Sequence, residues 1–77
     1  MSNAVAAKPL YAKAARAAKI RAALMVRGIE VRSLAKTLGV TGPMVSQVIS
    51  GSRRTRYIRE LIARTIGEDY ETLWGER

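Results

Sequence analysis

An all-α fold, a compact bundle of about five short helices around a central pair, is what this sequence predicts, and three observations predict it. Apolar residues recur at helical spacing in separate stretches, most clearly Val31, Leu34, Ala35 and Leu38 at i, i+3, i+4 and i+7. Glycines at 28, 39, 51 and 67 punctuate those stretches where helices would stop. No stretch alternates apolar and polar residues as a half-buried strand would, and no segment repeats. The length, 77 residues, supports one domain with a modest core, so regular packing has to hold it.

Residues 1–9 read as a flexible leader, and 10–77 as the folded domain. From Leu10 to Arg27 the chain is rich in alanine, lysine and arginine with no helix breaker, which predicts a first helix. Its apolar stripe, Ala17, Ile20 and Leu24, occupies only the second half, so its early turns are expected to overhang the core. Gly28 ends that helix, and Ile29 is placed to plug the core beneath the next.

Val31 to Leu38 then forms the second helix, and Val45, Val48 and Ile49 repeat the i, i+3, i+4 pattern in a third over about 42–50. Between them, Gly39 suits a helix end and Thr41 suits an N-cap, while Ala35 is small where two steeply crossing helices come close. A polar loop, S-G-S-R-R-T-R, follows. Arg56 to about Ile66 makes the fourth helix, with Ile58, Leu61, Ile62 and Ile66 on one face. Asp69 can cap a last short helix whose apolar side is Leu73 and Trp74.

The second and third helices with their tight turn describe a helix-turn-helix, whose second helix is shaped for the major groove of DNA. The run L-A-x-x-L-G-V-T-x-x-x-V-S-x-V-I-S-G resembles the helix-turn-helix of the lambda-repressor-like family of phage repressors and Cro proteins. The resemblance extends upstream through Ile20, Leu24, Gly28 and Ile29, and downstream through Leu61, Ile62, Ala63, Ile66, Gly67, Leu73 and Trp74. The A-R-x-I-G…L-W ending is similar to the Ner-like regulators of Mu-type phages. Two positions depart from the family: Glu30 stands where it usually has Ser or Thr, and Val31 where it often has a phosphate-contacting Gln. The resemblance implies a transcriptional regulator, with palindromic sites and homodimers common.

Charge points the same way. The net charge is +8, but up to Arg56 eleven basic residues face the single acid Glu30, whereas from Tyr57 onward three bases face five acids. A polyanion would meet the first part. Opposite the buried side of the third helix lie Pro43, Gln47 and Ser50 with Ser46 on the flank, so these are the expected base contacts, and Gln47 is the strongest because its amide can pair with the N6/N7 edge of adenine. Arg53, Arg54, Arg56, Lys36 and Thr41 are the expected phosphate contacts. Two readings stand for the bases between Lys8 and Arg27: the solvated side of a helix, or an arm on the DNA backbone. Two also stand for Tyr70 and Trp74: a lid on the core, or a contact between copies.

Other classes of function start with less. Cysteine and histidine are both absent, so no metal site, cofactor or nucleophile–base pair is expected, and neither is a small-molecule substrate. No apolar run is long enough to span a bilayer and no signal peptide is read, which points to the cytoplasm. The rivals that remain are a non-specific, architectural DNA-binding protein, for instance one assisting transposition, and an antitoxin-like adaptor whose Tyr70 to Arg77 tail engages a protein partner.

Overall fold

The computed structural model describes residues 9–75, with side chains from residue 12 onward. The leader expected over 1–9 lies outside them apart from Pro9, which begins the first helix. Five helices follow one another: α1 (Pro9–Val26), α2 (Val31–Leu38), α3 (Gly42–Ser50), α4 (Arg56–Ile66) and α5 (Tyr70–Trp74). Among the described residues there is no strand.

Local chemistry sets the boundaries. The Thr41 hydroxyl accepts from the Met44 N–H at 3.2 Å, which caps α3, and Pro43 sits in its first turn, where no intrahelical donor is lost. Asp69 accepts from the Thr72 N–H at 3.1 Å and caps α5 in the same way. Glu30 stands at the N-cap of α2 without such a bond, its carboxylate taken instead by Arg32 at 2.9 Å. Its negative charge still suits a helix start.

Around α3 the core closes. It packs against α1, α2 and α4, and its Val45, Val48 and Ile49, with Ile20 of α1 and Ile58 and Ile62 of α4, are fully buried. Burial of this kind contributes about 1.5–3 kcal/mol per side chain, so three anchors hold a nine-residue helix firmly. Ala35 is buried on α2, which packs on α3, and Ile29, Val31, Leu38, Val40 and Met44 pack partly buried around that pair.

Two details differ from the pattern in the sequence. On α4, Leu61 is only partly buried, and Ala63 and Arg59 join the interior instead. The early turns of α1 do not simply overhang: the Lys13 stem lies across Gly51 at the end of α3, so close that a methyl group on Gly51 would stand 3.0 Å from Lys13 Cδ.

Candidate nucleic-acid interface

The outward side of α3 carries Pro43, Gln47 and Ser50, all exposed, with Ser46 half-buried beside them. The sequence expectation for which side chains face out is met because the opposite side of the same helix is wholly committed to the core. Lys36, in the last turn of α2, is exposed, and so is Thr41. The Thr41 hydroxyl oxygen accepts the cap hydrogen bond, which leaves its O–H proton able to point outward.

At the end of α3 the chain reverses on Gly51, whose φ of 93° is the left-handed conformation that side chains resist. The carbonyl of Gln47 gathers the return: it accepts from the N–H of Gly51 at 3.1 Å, Ser52 at 3.0 Å and Arg53 at 3.2 Å, and from the Ser50 hydroxyl at 3.1 Å. The reversal brings Arg53 back alongside α3, where its Nε–H donates to Oε1 of Gln47 at 2.9 Å. Arg54 is exposed next to it. No acidic residue occurs between Glu30 and Glu60, so the loop itself carries no negative charge beside these arginines.

Arg56 is also exposed, but its guanidinium has partners within α4 and α5. It opens α4, with its Nε donating to Glu60 Oε2 at 3.0 Å and its guanidinium 4.4 Å over the ring of Tyr70. The i, i+4 spacing of Arg56 and Glu60 is the sequence signal for this pair. Tyr70 is consequently half-buried. Trp74, the other residue offered as a contact between copies, is 4% exposed, with its indole N–H donated to the Arg59 carbonyl at 3.1 Å, so its surface belongs to the core.

The bases of α1 divide along a line not visible in composition. Arg16 donates to the carbonyl of Trp74 at 3.3 Å, Arg27 to that of Ile66 at 3.0 Å, and Lys19 pairs with Glu68 at 3.4 Å. Trp74 and Ile66 are the last residues of α5 and α4, where helix carbonyls lack intrahelical partners and carry partial negative charge. Arg16 and Arg27 thus fasten α1 to two helix ends, a role that neither reading from sequence included, while Lys19 and Arg21 remain exposed on its surface. Sequence reasoning also missed Tyr57, half exposed in the first turn of α4 beside the arginine loop, and Met25 and Val26, exposed at the end of α1.

Among the described residues no cluster of three or more His, Cys, Asp or Glu could hold a metal ion, and no helix is long and apolar enough to cross a membrane. Comparison with protein-family models, with curated proteins and with solved structures gave no match in any of the three.

Proposed function

We propose that the chain binds double-stranded DNA in a sequence-specific manner and acts as a phage- or prophage-type transcriptional regulator, a repressor that occludes its site with α3 in the major groove. One observation carries the reading: α3 is rooted on one side by Val45, Val48 and Ile49, presents small polar groups and Gln47 on the other, and ends in an acid-free loop with Arg53 and Arg54 exposed. A rooted helix of that profile suits a groove, because its narrow polar edge reaches base edges while flanking cations displace counterions from phosphates.

Selection of bound duplexes from a random pool tests it. A recovered consensus is the expected result, and two-fold symmetry in it, with half-sites about 34 Å apart, would identify the binding species as a dimer. Selection without a consensus, with binding competed away by random duplex, would instead make this an architectural protein. No binding to any duplex at low salt would leave the protein-adaptor reading. Arg54→Ala should weaken all duplexes alike and reduce the slope of log K against log salt by about one unit.

A further inference from the structure

The bond between Arg53 and Gln47 changes what each can do at a base edge, and this inference rests on the DNA-binding reading above. A lone glutamine recognises adenine by accepting from N6 through Oε1 and donating to N7 through Nε2. Here Oε1 already accepts from Arg53 Nε at 2.9 Å, and the guanidinium stands beside it. An adenine amino group approaching that oxygen would meet a cation with five donors of its own.

What the pair offers outward is almost entirely donors: the two terminal amino groups of Arg53 and the amide N–H groups of Gln47. Among the described residues neither side chain has another side-chain partner. The base whose major-groove edge carries two acceptors, N7 and O6, is guanine, and arginine forking onto that edge is the commonest specific contact. Geometry favours this use of Arg53 over a phosphate contact. Its backbone N–H is bound to the Gln47 carbonyl at 3.2 Å and its Nε–H to the Gln47 side chain, so two bonds hold it against the reading face of α3 before any ligand arrives. A side chain fixed in advance loses less rotamer freedom on binding.

We propose that Arg53 reads a guanine in the major groove and that Gln47 is its positioning residue, reversing the division of labour that the sequence implies. Four variants test it by duplex selection and by titration on matched duplexes carrying guanine or adenine at one position. The wild-type chain is expected to select guanine there and to lose about 5- to 150-fold in affinity when it is replaced by adenine. Arg53→Ala and Arg53→Lys should both erase that preference, although lysine keeps the charge, because it lacks the fork. Gln47→Ala should relax the preference at the same position. Gln47→Glu should retain it at lower overall affinity, since a carboxylate still accepts from Arg53 but adds charge near the phosphates.

The proposal is overturned if Arg53→Ala weakens guanine and adenine duplexes equally, or if Gln47→Ala and Gln47→Glu both abolish a preference for adenine. Either result leaves sequence-specific binding standing. A wild-type chain that selects nothing removes the DNA-binding reading and this inference together.

Discussion

At the scale of single residues, the arginines show how far position in the sequence and role in the structure diverge. Arg59 is 4% exposed, and both its guanidinium and that of Arg16 lie 4.7 Å from the centre of the Trp74 ring. Contacts of this type contribute about 0.5–2 kcal/mol each as desolvation increases, which lets a charge stand inside a small core. Nothing in the local pattern of α4 distinguishes Arg59 from a solvated arginine, because the ring it meets, Trp74, lies 15 residues further along the chain. The outward set on α3 was legible because it depends only on helical spacing within nine residues. Thr41 was legible for the same reason, as a cap one residue before a helix start. Thr41→Ala removes the acceptor for the Met44 N–H and should cost about 1 kcal/mol, a fall in Tm of about 4–8 °C in a domain this size. A thermal melt followed by circular dichroism measures it, and an unchanged Tm would mean that the cap contributes nothing.

At the scale of elements, α2 through α4 follow from their own residues: two strongly amphipathic helices flank α3, and each stretch ends at a glycine. α1 is different. Its apolar stripe, Ala17, Ile20 and Leu24, is legible and buried, but the long side chains by which it also reaches α3, α4 and α5 have no short-range pattern to announce them. The loop after α3 was readable as a polar break but not as a reversal onto Gln47, because that path requires the left-handed Gly51 and several donors converging on one carbonyl. Gly51→Ala should destabilise the fold by about 1–3 kcal/mol through backbone strain at φ 93°, with the flexible Lys13 stem moving aside for the new methyl. A urea titration reads the loss as a lower midpoint at unchanged slope. Should the midpoint hold, the left-handed turn would not be a constraint.

At the scale of the whole molecule, net charge overstates what is available to a ligand. Arg16, Lys19, Arg27, Arg56 and Arg59 are each engaged with a partner that ties them into the helical bundle, whereas Arg53 is engaged with Gln47 on the outward face of α3 and Lys36 is exposed on α2. Composition could count the bases but not sort them, since sorting depends on which carbonyls the fold leaves nearby. Arg27→Ala should therefore lower stability by about 1 kcal/mol while leaving the salt dependence of duplex binding unchanged. Paired urea and salt titrations separate the two, and a reduced salt slope would return Arg27 to the binding surface. The clasp that Arg16 and Arg27 place on the ends of α5 and α4 also governs how the molecule comes apart. A protein cut after Gly67 loses the Trp74 carbonyl that Arg16 holds but keeps the Ile66 carbonyl that Arg27 holds, so it should forfeit helicity in the opening turns of α1 while the last turns persist, and in the uncut protein amide protons of those opening turns and of α5 should exchange together.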